Sequence, residues 1–287
     1  MTPSGPLKVL ELLRRSEDFL REQGCASPRL DAQVLLADVL NCDRVKLYVD
    51  YAKPLTDEER SKFRTFVRRR ANHEPVAYIT GKKEFWSMEF SVDPRVLIPR
   101  PDTETLVDEA KDRCPGGTGL KLVDVGTGSG CLCAALLKEI EGSTAVAFDL
   151  KNDTLELARE NLRNLGFEDR VSFIRGNLLD GLGDSTFDLI CANLPYIPTA
   201  ELDDLPDDVR LFEPICALDG GQDGLDFIRP LVHSAPSRLN KGGILVLEVG
   251  QGQAGQVQQL CLDTGLQAVQ VRRDLAGLER VVSAMRV

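Results

Sequence analysis

The sequence predicts an α/β fold: a Rossmann-like, mainly parallel sheet covered on both faces by helices and closed by an antiparallel C-terminal hairpin, preceded by a small all-α domain. Three observations carry this. From residue 120 onward short apolar runs alternate with helical patterns. The first of these runs, Leu122-Val-Asp-Val125, passes straight into the glycine-rich turn Gly126-Thr-Gly-Ser-Gly130. Up to about residue 80, by contrast, the apolar spacing is helical. A parallel sheet whose first turn is rich in glycine receives its ligand at the carboxyl ends of its strands.

Taken in order, the first domain is expected over residues 1–82. Leu7, Leu10, Leu13 and Leu20 space one helix, Leu30, Val34, Leu35, Ala37 and Leu40 a second, and Phe63, Phe66 and Val67 another. Pro28 suits the first turn of the second helix, and Thr56-Asp-Glu-Glu59 has the form of a capping box. Residues 83–101 read as a connector. Its stretch 84–92 is aromatic and extended like a hairpin, and Pro94, Pro99 and Pro101 keep the rest of the connector stiff and non-helical. The remaining domain, 102–287, opens with a helix over 102–113. Strands are expected at 120–125, 145–150, 171–175, 187–192 and 244–249, and the helices between them at 131–140, 154–165, 225–239 and 253–263. Residues 267–272 and 280–285 would form the closing hairpin.

Composition narrows the class. Of 287 residues, 43% are hydrophobic and 28% charged, ordinary for a globular enzyme with ample length for a core. A net charge of −10 argues against long-range attraction to nucleic-acid backbone, so no stable nucleic-acid binding is expected. The basic run from Arg60 to Arg70 reads as a solvated helix face. No apolar run approaches the ~20 residues of a membrane helix, and Met1-Thr-Pro-Ser-Gly-Pro lacks a signal-peptide core, so the expected setting is cytoplasmic, without a membrane partner. Eight cysteines are scattered without a CxxC pair, and His73 and His233 are the sole histidines, so packed thiols and no metal site are expected.

The glycine turn follows a strand and opens a helix. Its glycines permit positive φ and close approach of a ligand, while the helix start offers free amide donors. A dinucleotide fingerprint would want Gly or Ala at 131, where this chain has Cys131. Asp149 ends the second strand about 20 residues on, where a carboxylate can take both hydroxyls of an adenosyl ribose. Asn177, after the third strand, can contact an adenine edge, with Leu178 packing on the ring. Gly126, Thr127, Gly128, Ser129, Gly130, Asp149, Asn177 and Leu178 are thus the candidate cofactor residues, joined by Asn193.

Asn193-Leu-Pro-Tyr196 comes directly after the fourth strand. The Asn193 side-chain oxygen and the Leu194 carbonyl are two fixed acceptors for the two N–H bonds of an incoming NH2 group, and Tyr196 offers a flat wall for a planar amide or base. An amide nitrogen is a poor nucleophile because its lone pair is delocalised, so a site must position it in line and favour the developing charge. These residues predict methyl transfer to nitrogen, with Asn193, Leu194, Pro195 and Tyr196 as the catalytic and substrate-binding set.

Asn193-Leu-Pro-Tyr196, Val125-Gly-Thr-Gly-Ser-Gly130 and Val96-Leu-Ile-Pro-Arg-Pro-Asp-Thr-Glu104, with Arg29-Leu-Asp-Ala-Gln-Val-Leu-Leu36 and Glu74-Pro-Val-Ala-Tyr-Ile-Thr-Gly81, resemble the HemK/PrmC family of protein-(glutamine-N5) methyltransferases over almost the whole chain. The resemblance implies a class I S-adenosylmethionine-dependent methyltransferase fold and S-adenosylmethionine as cofactor. It implies methylation of the glutamine of the GGQ motif in class-1 peptide-chain release factors, which the helical domain would dock. It also implies that Pro99 and Arg100 line the substrate pocket, although Arg100 and Glu104 can equally be structural. One departure is Leu194, where the family has proline: the carbonyl survives, but ψ of Asn193 loses its restriction. Two other readings stay open, an N6-adenine nucleic-acid methyltransferase in which Tyr196 stacks on a flipped base, and a non-catalytic relative that binds translation factors.

Overall fold

The computed structural model describes residues 8–114, 118–183 and 185–287. The chain forms two compact units, one running to Lys82 and taking in Pro206–Phe212, the other comprising Lys83–Leu205 and Glu213–Val287.

The first unit is helical: α1 (Val9–Glu22), α2 (Pro28–Val39), α3 (Arg44–Val49), α4 (Asp57–Ala71) and α5 (Val76–Thr80). Pro28 occupies the first turn of α2. Thr56 caps α4 through a complete capping box, its hydroxyl accepting from the Glu59 amide while the Glu59 carboxylate accepts from the Thr56 amide. The core gathers Leu20, Leu35, Leu36, Leu47 and Phe63. Val9 rather than Leu10 faces inward from α1, and Leu10 and Leu30 are exposed, whereas Leu20, Leu35 and Ala37 are buried and Leu13 and Leu40 pack against the core, so the expected stripes fail only at their first described leucines. Leu7 lies outside the described residues. The basic run is not wholly a solvated face, because Arg70 is buried and donates to Asp31 at 2.7 Å.

At the start of the second unit β1 (Lys82–Phe85, of which Lys82 is the last residue of the first unit's main segment) and β2 (Met88–Ser91) pair as a hairpin. Its two turn residues, Trp86 and Ser87, have φ of 51° and 53°. After a 3-10 turn at Pro101–Thr103 come α6 (Glu104–Arg113), β3 (Lys121–Val125), α7 (Cys131–Glu139), β4 (Thr144–Asp149), α8 (Asn152–Asn164), β5 (Val171–Arg175), β6 (Phe187–Ala192), the short α9 (Asp207–Arg210) of the first unit, α10 (Ile228–Arg238), β7 (Leu239–Glu248), α11 (Ala254–Asp263), β8 (Gln267–Arg273) and β9 (Glu279–Met285). Among the described residues the main sheet has the order β5-β4-β3-β6-β7-β9-β8, parallel up to β7, with β9 antiparallel to both β7 and β8.

Alternating residues of each strand serve opposite faces. Val123, Val125, Ile190, Leu245 and Leu247 pack with Leu231 of α10 and Val257 of α11. Leu122, Leu189, Cys191 and Val246 pack with Leu106 of α6, Leu136 of α7 and Phe85 of the hairpin. Successive strands run outward from β3 to β5, then return to the other side of β3 as β6. This reversal opens a crevice at the carboxyl ends of β3 and β6, where an open α/β sheet takes its ligand. No helix among the described residues is long and apolar enough to cross a membrane.

Candidate active site

The crevice is walled by the turn after β3, the end of β4, the turn after β5, the turn after β6 and the proline-rich passage before α6. The glycine turn is shaped by φ: Gly126 lies at +74° and Gly128 at +55°, both in the left-handed region that favours glycine. Thr127 ties the turn back to its strand, its hydroxyl donating to Asp124 Oδ2 at 2.7 Å and its amide to the Phe148 carbonyl at 2.7 Å. Burial pushes the Asp124 carboxyl up to about 7, against the pull of the Thr127 hydroxyl. Asp149 accepts from the Gly128 amide at 3.2 Å through Oδ2 and from the Lys151 amide at 3.2 Å through Oδ1. Burial raises its pKa and these amides oppose the rise.

Beyond β6, Asn193 faces the crevice and donates from Nδ2 to the Thr103 hydroxyl at 3.0 Å. Its Oδ1 has no hydrogen-bond partner among the described residues. Leu194 is buried in the core, and Pro195 lines the crevice. The Tyr196 hydroxyl donates to Glu248 Oε1 at 3.3 Å, and its carbonyl accepts from Gln253 Nε2 at 2.8 Å. Glu248 ends β7 and is 2% exposed.

The crevice thus brings together Gly126, Thr127, Gly128, Ser129, Asp149, Asn177, Leu178, Asn193, Leu194, Pro195, Pro99 and Arg100. Gly130 and Tyr196 do not line it. Gly130 starts α7 under α8, where a Cβ would stand 3.3 Å from Leu162 Cδ1, so its bareness serves helix packing. Arg100 lines the crevice and also pairs with Glu213 at 2.5 Å, while Glu213 accepts from the Ile98 amide at 3.1 Å. Glu104 is turned to the hairpin and accepts from the Trp86 amide at 2.8 Å. Sequence reasoning missed Thr103, Glu213 and Glu248, and the apolar wall of Leu150 and Phe227. The signal for Thr103 lay within the proline-rich motif, whereas nothing in the run around Glu248 marks it.

Residues 11–81 match the PrmC N-terminal domain and residues 117–271 a methyltransferase domain. A release factor glutamine methyltransferase of Rhodopirellula baltica is 41% identical, covering 98% of this chain and 97% of its own. One of Geobacter sulfurreducens is 44% identical over 96% of this chain and 94% of its own. The chain belongs to the release factor glutamine methyltransferase family. A methyltransferase of Pyrococcus furiosus shares the fold, with a TM-score of 0.54 at 17% identity over 71% of this chain and 91% of that one. As a member of the release factor glutamine methyltransferase family the chain is an enzyme, and the strand order, the closing hairpin and the preceding helical region agree with the class I fold.

Proposed function

We propose that this chain methylates the side-chain amide nitrogen of the glutamine in the GGQ motif of class-1 peptide-chain release factors, in the cytoplasm, using S-adenosylmethionine. The observation that carries this reading is the pairing of Asn193 with Thr103. With Nδ2 committed to the Thr103 hydroxyl, the atom left to a ligand is Oδ1, an acceptor suited to an N–H of a primary amide.

The crevice fits the cofactor. Asp149 spends one oxygen on each of two backbone amides and keeps lone pairs for a vicinal diol. Leu150, Leu178 and Phe227 supply apolar walls for a purine, and the Ser129 hydroxyl, buried beside the Cys131 thiol at the crevice, has no strong hydrogen-bond partner among the described residues. Gly126 and Gly128 allow the backbone to come close. When bound there, S-adenosylmethionine supplies an electrophilic methyl group that the glutamine nitrogen takes, leaving S-adenosylhomocysteine and a proton.

The protein's own share is positioning and electrostatics. Asn193 Oδ1 and the Leu194 carbonyl accept the two N–H bonds of the glutamine, aim its lone pair across the crevice and stabilise the charge that develops on nitrogen. The proton leaves to water after transfer, since the methylated nitrogen is strongly acidic, so no general base is required. Pro99, Pro195 and Arg100 close the substrate side, with Arg100 held by Glu213. The helical unit carries the PrmC N-terminal match and is assigned the docking of the release factor.

The test is methyl transfer from labelled S-adenosylmethionine to purified class-1 release factor, beside a GGQ glutamine→alanine release factor and an adenine-containing duplex. Label confined to the intact GGQ protein is expected. Label on the duplex would replace this reading with a nucleic-acid enzyme, and label on none with a non-catalytic relative.

A further inference from the structure

Glu248 is a buried carboxylate to which neither the cofactor crevice nor the substrate clamp assigns a task. The Tyr196 hydroxyl donates to its Oε1 at 3.3 Å, and its Oε2 is buried without a hydrogen-bond partner among the described residues. The Thr103 and Tyr196 hydroxyls and the Arg280 guanidinium all act on this carboxyl and favour its charged form against the cost of burial. Thr103 is itself buried, and its oxygen already accepts from Asn193 Nδ2 at 3.0 Å.

A hydroxyl has one proton to give and lone pairs to receive with. An ionised carboxylate can only accept. If the Thr103 proton goes to Glu248, the Thr103 oxygen is left as an acceptor, and Asn193 must turn its NH2 group toward it. The Asn193 carbonyl oxygen then faces the crevice. The same carboxylate takes the Tyr196 proton and so fixes the other end of the turn. Arg280 supports the charge, donating to Asp274 at 3.2 Å and lying 3.5 Å from Asp102.

We propose that Glu248 and Thr103 are positioning residues that set the amide orientation of Asn193, and with it the direction in which the clamp accepts hydrogen bonds. Neither touches the reacting atoms in this scheme: Glu248 acts through Thr103 and Tyr196, and Thr103 through Asn193. The inference rests on the glutamine-methyltransferase reading given above.

The experiment is steady-state methylation of purified release factor by the wild-type enzyme and the Thr103→Val, Thr103→Ser and Glu248→Gln variants, with S-adenosylmethionine affinity measured on each by calorimetry. Thr103→Val keeps the shape and removes the hydroxyl, leaving Asn193 free to flip. It is expected to lower kcat by about 10- to 100-fold, while the dissociation constant for S-adenosylmethionine changes by less than about twofold. Thr103→Ser restores the hydroxyl and is expected to recover most of the rate. Glu248→Gln, which offers a donor as well as an acceptor, is expected to lower kcat in the same way as Thr103→Val. The proposal is overturned if Thr103→Val turns over like wild type, if Thr103→Ser is as impaired as Thr103→Val, or if cofactor affinity falls in step with the rate, the mark of a general structural role. Absence of release-factor methylation by wild type would overturn the functional reading and this proposal with it, so the two failures are told apart by the wild-type lane.

Discussion

The Leu194 side chain closes over the α-carbon of Gly126: a Cβ added to that glycine would stand 3.1 Å from Leu194 Cδ2. The cofactor turn and the substrate turn are therefore packed on each other, and Gly126 is held at φ +74° while doing so. For Gly126→Ala we expect a loss of about 1–2 kcal/mol of stability from the left-handed backbone, with added crowding against Leu194 and weaker S-adenosylmethionine binding. Urea denaturation and calorimetry check this, and an unchanged midpoint with unchanged affinity would refute it.

The same contact gives Leu194, where the resembled family has proline, a packing role besides its carbonyl. Proline at 194 would restrict ψ of Asn193 but would fill less of the space over Gly126. For Leu194→Pro we expect turnover within about threefold of wild type, the two effects opposing each other. A large gain in kcat would mean that the natural clamp is impaired by its leucine.

Asp149, at the mouth of β4, is held from behind by two backbone amides. Asp149→Asn keeps the shape but loses the charge and one pure acceptor. A charge-assisted pair of hydrogen bonds to a diol is worth about 1.5–3 kcal/mol, so the dissociation constant for S-adenosylmethionine should rise by about 10- to 100-fold. The melting temperature without ligand should stay near wild type. Unchanged affinity in a calorimetric titration would remove Asp149 from the cofactor site.

Glu248 sets opposite pH dependences for stability and activity. Burial pushes its carboxyl up to about 7, Asp102 adds to the rise, and the Thr103 hydroxyl, Arg280 and the Tyr196 hydroxyl oppose it; the nearby Cys131 thiol, pushed up to about 12, stays neutral. The folded chain holds this proton where the unfolded chain has lost it. The resulting stabilisation is present below the ordinary value of 4.5 and is lost as pH rises toward about 7. On the proposal above activity should run the other way, since a neutral carboxyl would bring a proton of its own to hydroxyls that have to donate, and kcat should climb through about pH 7. Asp124, also raised to about 7, is present in wild type and in Glu248→Gln alike. The difference between the pH–rate and pH–melting profiles of the two proteins therefore reports Glu248, and superimposable profiles would rule the assignment out.

Locality decides how much of the fold and the site is legible in the sequence. The glycine turn, Asp149 and Asn193 each sit at or just past the end of an apolar strand, so strand ending and special residue are read together. The apolar run places the start of β7 at 244, but the strand begins at Leu239 and reaches Ile244 through an irregularity: its register with β6 jumps from Phe187–Leu239 to Leu189–Ile244 and Gly242 lies at φ +81°, so the turn-like look of Lys241-Gly-Gly243 is real and hides the residues before it. Thr103 and Asn193 are 90 positions apart, and Tyr196 and Glu248 are 52 apart. Such pairs are made by tertiary packing, and no spacing rule within one element announces them. Arg70 escapes sequence reading for the same reason: its partner Asp31 lies on another helix, and a run of arginines looks solvated until one of them is seen to be covered.

Arg70 gives the last expectation. It is 5% exposed and Asp31 is 7% exposed, with Arg70 Nε donating to Asp31 Oδ2 at 2.7 Å. Its remaining protons reach the His73 and Glu74 carbonyls at 3.2 Å each, and Asp208 lies 3.6 Å away. One side chain thus ties α2, the end of α4 and the Pro206–Phe212 segment within the helical unit. Removing one partner strands the other charge in a poorly solvated place, which costs about 3–5 kcal/mol. Replacing both with apolar groups removes that penalty. For Arg70→Met we expect a loss of that order in chemical denaturation, and for Arg70→Met combined with Asp31→Leu a recovery of at least half of it. If the double variant were no more stable than the single one, the carbonyl and Asp208 contacts rather than the Asp31 charge would be what Arg70 supplies.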